Sequence, residues 1–476
     1  MKTAGLAALA IGALGALLGG CAVGPAYHRP AVAVPRRYAA LAGWTAAAPA
    51  DAAPKGDWWT AFHDPLLDRL EPEVAVSNQT VRQAVANYRQ ALEQVRIARS
   101  ALLPAIGIAG TATRARSTRG AGGQGPVVDS GSLEGVASWS VDLWGALRRQ
   151  LEQTRAVAEA DQAQLANATL AEQTLLATTV IDLRITDADV ALERLTVRAY
   201  RDSLRIVTQQ AAAGVSTAPP SAVIAARTAL ETERAALIAL GVARAQYAHA
   251  IAVLVGRNPE RLDLPATGRL PALPEVPPGV PSTLLERRPD IAAAERAVAA
   301  ENAAVGVATA AYFPSLSLSA ADGFVQSPLA GLLHAANDVW SLGASSTFSL
   351  LDFGARRAQV RAARAAYQGA VANYRNTVLN AFAHVEDDLA SLRILAAQAA
   401  ALDRAVADAA QGAGIALAEF QAGTVDYTAV AQAQAILLAD RRSALTVREN
   451  RLVTTVALIG DLGGGWSATT LGDKSR

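Results

Sequence analysis

Two stretches of this chain alternate apolar and polar residues with a period of two, the pattern of a strand with one face against an apolar medium. In 315–324, Leu316, Leu318, Ala320 and Phe324 share one face, joined by Asp322, while Ser315, Ser317, Ser319 and Gly323 form the other. In 340–350, Trp340, Leu342, Ala344, Phe348 and Leu350 oppose Ser341, Gly343, Ser345, Thr347 and Ser349. Two earlier segments, 105–114 and 133–144, alternate less cleanly around Ile106, Ile108, Leu133, Trp139, Val141 and Leu143. Alternation over ~10 residues is what a transmembrane barrel strand requires, apolar toward lipid and polar toward the lumen, although any one such segment also fits a half-buried sheet.

The rest of the pattern is helical. No proline or glycine interrupts the stretch from Gly145 to Gly214, and only Gly369, Gly412 and Gly414 interrupt that from Gly354 to Gly423. A continuous helix of that length would run ~100 Å. Returning helices are expected over about 220–255 and 425–459, and shorter ones over 64–102 and 282–312. Such lengths suit a rod or a wall, and Ala156, Ala158, Ala160 and Ala163 allow helices to approach closely.

The same punctuation occurs twice. Pro104 and Pro314 are 210 positions apart, and each is expected to turn a helix into a strand, because the residue before proline disfavours the α conformation. Gly145 and Gly354 mark the return to helix, and Gly214 and Gly423 mark the turns between the long and returning helices. The expected organisation is a signal peptide (1–20), an N-terminal segment (21–63), a first repeat (64–256) with its hairpin near 104–145, a proline-rich extended connector (257–281), a second repeat (282–460) with its hairpin near 314–354, and a tail (461–476).

Four strands cannot cross a membrane as an open sheet, since edge backbone groups in hydrocarbon would each cost several kcal/mol. Strands must therefore be pooled between chains. Three copies give twelve strands around a water-filled bore lined by serine, threonine and glycine. The fold class expected is a mixed α/β membrane protein, pooled β-strands continued by very long α-helices; the family resemblance given below implies that it is a trimer with a twelve-stranded β-barrel continued by a periplasmic α-helical barrel.

The N-terminus sets the compartment. Lys2, the apolar run Ala7 to Leu18, and the small residues Gly19 and Gly20 before Cys21 have the layout of a secretory signal ending in a bacterial lipobox. Cys21 is the single cysteine, and acylation would consume its thiol, which fits a chain without a disulfide partner. Loss of residues 1–20 removes one charge, Lys2, and leaves basic and acidic residues in equal number. No basic stripe with interleaved aromatics points to nucleic acid.

At this level the chain resembles the TolC-like outer-membrane efflux proteins, in particular the lipoprotein branch that serves RND-type drug efflux. The matching segments are CAVGPAYHRP (21–30), STLLERRPDIAAAE (282–295), AAYFPSLSLSA (310–320), LLDFGARRAQV (350–360), NYRNTVLNAFAHVEDDLA (373–390) and FQAGTVDYTAVAQAQ (420–434). The resemblance implies a homotrimeric exit duct that conducts small molecules such as drugs passively. It also implies a periplasmic adaptor and an inner-membrane RND-type, proton-driven transporter as partners. In lipoproteins of this class an Asp after the cysteine retains the protein in the inner membrane; Ala22 stands here, which implies the outer membrane.

The resemblance further implies a channel closed at the periplasmic helix tips, here Gly214 to Ser221 with Pro219 and Pro220, and Gly423 to Tyr427. Phe420 and Tyr427 stand at the usual aromatic positions. Many relatives carry an aspartate after this turn that forms an acidic ring; this chain reads Val430-Ala431-Gln432-Ala433-Gln434, so Gln432 takes its place. A ring of carboxylates would concentrate cations and glutamine would not. Asp426, two residues before Thr428, is either a lumen charge or a helix cap.

No catalytic constellation is visible, and no metal or cofactor site is expected beyond the lipid on Cys21. His28, His63, His249, His334 and His384 are scattered. Gly120, Gly122 and Gly125 match a dinucleotide-binding spacing, but in a loop between two strands with no helix to open. The acids Glu386, Asp387 and Asp388 are expected on a solvated helix face. Two alternatives stay open: a lipid-anchored periplasmic coiled-coil scaffold, and the outlet of a protein secretion system. Cys21→Ser is expected to abolish incorporation of labelled palmitate; unchanged labelling would remove the lipid anchor.

Overall fold

The structure, a computed structural model, describes residues 22–35, 38–39, 56–119, 123–216, 218–276 and 287–466. The signal segment, Cys21, Gly120 and Gly122 lie outside them. Eleven long elements are described: α1 (Pro65–Ser77), α2 (Gln79–Ser100), β1 (Ala105–Arg119), β2 (Gly123–Val141), α3 (Ala146–Ala212), α4 (Pro220–Leu254), α5 (Pro289–Ala310), β3 (Ser315–Gln326), β4 (Asp338–Thr347), α6 (Ala355–Gln421) and α7 (Tyr427–Asp461). The repeat is close to regular, with α3 and α6 each of 67 residues and α4 and α7 each of 35. The chain divides into two compact units, one of residues 1–31, 87–162 and 293–375, the other of 32–86, 163–292 and 376–476.

The first unit holds one antiparallel sheet in the order β1-β2-β3-β4. Its strands differ from expectation at their ends. Hydrogen-bonded pairing carries β1 to Arg119 and begins β2 at Gly123, so most of the expected interstrand loop, Gly125 included, is strand. Backbone pairing continues there after the apolar alternation has ceased, which is why periodicity understates the strands. β4 spans 338–347 instead of 340–350: Phe348 and Leu350 follow its end. Register joins Ile106, Ala137, Ala320 and Leu342 across one face, and Gly107, Val136, Ala321 and Ser341 across the other.

Each hairpin is tied to its helices in the same manner. The indole N–H of Trp139 donates to the Leu102 carbonyl (3.0 Å), and that of Trp144 donates to the Pro314 carbonyl (2.8 Å), so both proline corners are held by tryptophan. Trp144 also stacks on Phe313, with ring centroids 4.7 Å apart. Asp142 accepts the N–H groups of Leu147 and Arg148 at the start of α3. Asp352 accepts those of Gly354 and Arg356 at the start of α6. Gly145 has φ +80°, and a Cβ on it would meet Ala22, so both its conformation and its neighbour require glycine.

The segment after Cys21 is strapped to this unit. The Val23 N–H donates to the Trp144 carbonyl (3.0 Å), Arg149 donates to the Val23 carbonyl (3.1 Å), and Asn302 donates to the Pro25 carbonyl (3.1 Å). Tyr27 donates its hydroxyl to Glu295 and packs on Ala156, Ala299 and Ala300.

The second unit has the larger core. It gathers Trp58, Phe62, Leu67, Leu70 and Val74 against Leu176, Ile181 and Leu183 of α3, Ile251 of α4, and Leu452 and Val456 of α7. The expected helix 64–102 is two helices. Asn78 is extended (ψ 133°); its amide donates to the Leu254 carbonyl (2.9 Å) and its Oδ1 accepts the Val81 N–H (3.1 Å), ending α1 and capping α2. Arg288 has the equivalent place in the second repeat and donates to the Asp461 carbonyl (3.0 Å). The described part of the proline-rich connector, 257–276, has a 3-10 turn at Pro259–Arg261 and is otherwise without helix or strand, but it is held in place. Leu262, Leu264, Leu270, Leu273 and Val276 pack on the core, and the Ala272 N–H donates to the Phe62 carbonyl (2.8 Å).

The acids of α6 also depart from a plain solvated face. Asp388 is half-buried beside Asp461 and Arg288, and burial, followed by the Asp461 charge, pushes its pKa up to about 8. Glu386 accepts the Ala39 N–H. Charge density along a helix shows polarity; it does not show which turn another segment covers.

Glu71 sits fully buried in α1, and neither of its carboxylate oxygens has a hydrogen-bond partner. Burial raises its pKa from 4.5 to about 9. A carboxyl with a higher pKa folded than unfolded keeps its proton in the native state, so stability is greatest below pH ~4.5 and is lost as pH rises toward about 9. Glu71→Gln is expected to raise the apparent Tm at pH 8 and to leave it unchanged at pH 4, read by circular dichroism in detergent; an equal effect at both pH values would show that folding does not shift the titration of this carboxyl.

Candidate functional site

The two turns between long and returning helices are built alike. At the end of α3 the N–H groups of Ala213, Gly214 and Val215 donate to the carbonyls of Gln209, Ala211 and Gln210; at the end of α6 those of Ala422, Gly423 and Thr424 donate to Ala418, Phe420 and Glu419. Gly214 and Gly423 are left-handed, with φ +69° and +76°, as the helix-ending motif requires. The first turn is longer. It reaches Pro219 at the N-cap and Pro220 at the first position of α4, and proline there needs no N–H partner. The second reaches Asp426 at the N-cap of α7, where the side chain makes no capping bond.

The aromatic candidates are buried within the protomer. Phe420 and Tyr427 are 1% and 3% exposed, their rings meet edge to face at 5.9 Å, and Val207, Ala218, Ala226 and Val430 surround them. Gln210 donates its amide to the Phe420 carbonyl (3.2 Å), which joins the two turns. The Tyr427 hydroxyl is buried without a partner, and burial raises its pKa to about 12. Gly214, Pro219, Pro220, Ser221, Gly423, Asp426, Thr428 and Gln432 are exposed. The structure therefore separates the candidates: two rings hold the tip together, and the polar residues are left on its surface.

Behind the tip stands a polar ladder that motif reading missed. The Gln434 amide donates to the Ser203 hydroxyl (3.0 Å). Arg442 pairs with the buried Glu193 (2.5 Å) and lies 3.5 Å from Glu233. Burial in the first place, with Glu233 nearby and against the pull of Arg442, lifts Glu193 to about 7. These residues are scattered over α3, α4 and α7, and no spacing within one helix would have joined them.

The outer membrane efflux protein family profile matches residues 71–257 and again 280–464, one match for each repeat. The chain belongs to the outer membrane efflux protein family. It is 30% identical to the probable efflux pump outer membrane protein TtgC of Pseudomonas putida, over 98% of this chain and 97% of that one. It is 32% identical to the pyoverdine export outer membrane protein OpmQ of Pseudomonas aeruginosa, covering 96% of each chain. Among solved structures, the outer-membrane channel OprN superposes with a TM-score of 0.87 at 28% identity, over 94% of this chain and all of that one. CusC does so with 0.83 at 27%, over 93% of this chain and all of the other. This member is thus an efflux channel protein of the outer membrane, with a channel fold that reaches into the periplasm. The sheet and long helices exclude a purely coiled-coil scaffold.

The two kinds of tip residue should respond differently. Phe420→Ala is expected to cost about 3–5 kcal/mol, as for a buried aromatic. Gly423→Ala meets no neighbour and carries only left-handed strain, about 1–2 kcal/mol. Limited proteolysis should cut the Phe420→Ala tip rapidly and spare Gly423→Ala; equal protection of both would mean that the aromatic pair does not hold the turn.

Proposed function

We propose that three copies of this chain form the exit duct of a tripartite efflux system. The duct conducts small organic molecules passively from an inner-membrane RND-type transporter and a periplasmic adaptor to the exterior. The observation that carries this reading is the four-stranded sheet with β1 and β4 as open edges. β4 is ten residues long, enough to cross a bilayer in a tilted barrel. The apolar face of the sheet is exposed along both edges, with Ile106 and Ile108 of β1 at 84 and 82% and Trp340 and Leu342 of β4 at 73 and 76%. A hydrocarbon surround would demand partners for both edges, and further copies of the same sheet supply them.

A second feature supports pooling. Ile224, Ile238, Val242 and Val253 lie within a ~60° arc of α4 at 100° per residue. All four are more than half exposed. An apolar stripe of this length on a periplasmic helix is the kind of surface another protomer covers.

The lipid on Cys21 belongs to the same reading. Val23, two residues on, is bonded to Trp144 at the strand-to-helix corner, so an acyl chain on Cys21 would enter the membrane beside the barrel's periplasmic edge. The buried tip rings act as the latch of the closed duct. Gln432 leaves no acid at that position, so an acidic ring would depend on Asp426.

Deletion of the gene is expected to sensitise the cell to antibiotics or dyes, and the wild-type protein to co-purify with its adaptor. Purified Phe420→Ala protein in planar bilayers should give discrete conductance steps. An unchanged susceptibility profile together with silent bilayers from folded protein would overturn the reading. Loss of a secreted protein with unaltered susceptibility would instead favour a secretion outlet.

A further inference from the structure

The two open edges of the sheet carry opposite charges at their outer ends. Along β1 the face shared by Ile106, Ile108 and Gly110 continues without a break of register to Arg114 and Arg116. Along β4 the matching face holds Leu342, Trp340 and, as its first residue, Asp338, which pairs with Phe324 of β3. All three charged residues therefore point outward, just beyond the apolar band, at the end of the sheet away from the helices.

Barrel geometry decides where the edges meet. Ala105 leads across the ladders to Ser138, Ser319 and Gly343, so an unstaggered sheet would place Gly343 at the height of Ala105. Closing ~12 strands at a tilt of ~35–45° requires a total stagger of about 12–18 residues, or about 4–6 for each of three copies. The stagger per copy must be even, because an odd shift would turn the apolar face inward. It must also run toward the outer end of β1, since the opposite sense would set the end of β4 against α2. A stagger of four places Asp338 opposite Arg114, and a stagger of six places it opposite Arg116. In either case the other arginine is the diagonal neighbour.

We propose that each seam between protomers is registered at its outer end by an ion pair between Asp338 of one copy and the Arg114–Arg116 pair of the next. This rests on the trimeric reading above and names the contact that sets its register. Arg114 already lies 3.4 Å from Asp129 of its own chain, with 77% of its side chain exposed. A guanidinium has five N–H donors, so it can serve two carboxylates. Oppositely charged residues facing each other across an antiparallel pair favour that register, and a like-charged pair opposes it. The seam is where such a device is needed, because no hairpin turn fixes the pairing there.

The test uses the full-length protein in the outer membrane. Asp338→Cys is combined in turn with Arg114→Cys, Arg116→Cys and, for an unstaggered seam, Gly110→Cys. Within one chain β1 and β4 are three strand spacings apart, ~14 Å, too far for a disulfide. Any cross-link is therefore between copies. Oxidation is expected to convert the Arg114→Cys or the Arg116→Cys pair into covalent dimers and trimers, and the Gly110→Cys pair to stay monomeric on denaturing gels. In parallel, Asp338→Arg should lower the temperature at which the assembly dissociates in detergent, and Arg114→Asp with Arg116→Asp added to it should restore that temperature. Light scattering gives the mass independently. A three-copy mass with cross-linking only through Gly110→Cys, or with none, overturns the seam and leaves the trimer standing. A single-copy mass overturns both.

Discussion

Backbone polar groups in hydrocarbon have no water to bond, and an edge strand leaves a whole row of them without partners. That demand governs this chain. Its sheet supplies three ladders and two unfilled edges, β1 and β4, and neither edge is blunted by proline or covered by a described segment. Most soluble proteins hide such edges. Under the proposed assembly these edges are where copies of the chain meet, and an edge left unmet in hydrocarbon would leave its whole row of backbone groups unpaired.

The two repeats are solutions of one local problem, solved with different residues. Strand must become helix at a fixed corner, and each corner uses a left-handed glycine and an aspartate that caps the new helix, Asp142 with Gly145 and Asp352 with Gly354. Helix must join helix at the base of the second unit, and Asn78 in one repeat and Arg288 in the other donate to the last carbonyls of the returning helix. Asparagine suffices where one neutral bond is needed. Arginine serves where Asp290 and Asp461 also converge, and it holds both carboxylates.

At the tips the division of labour is between apolar hold and polar surface. Phe420 and Tyr427 bury their rings together among Val207, Ala218, Ala226 and Val430, and the Gln210 amide on the Phe420 carbonyl joins the two turns. The Glu193–Arg442–Glu233 cluster behind the tip is bound more tightly, because a buried carboxylate that loses its arginine is costly.

Much of this protein can be read from its residues one after another. The strands of the second repeat follow from period-two alternation around Leu316 and Leu342, the long helices from the lack of breakers after Gly145 and Gly354, and the turns from Gly214 and Gly423. These are local effects: side-chain direction and backbone preference act over a few residues and need no distant partner. What the tertiary structure decided is everything that depends on which distant segment arrives. Asn78 splits an unbroken apolar pattern because the end of α4 brings it a carbonyl. Asp388 is lifted off an exposed face because Asp461 and Arg288 meet it, and the proline-rich connector is pinned because Phe62 and the core lie beneath it. Burial and electrostatics depend on proximity in space, and a sequence records proximity only along the chain.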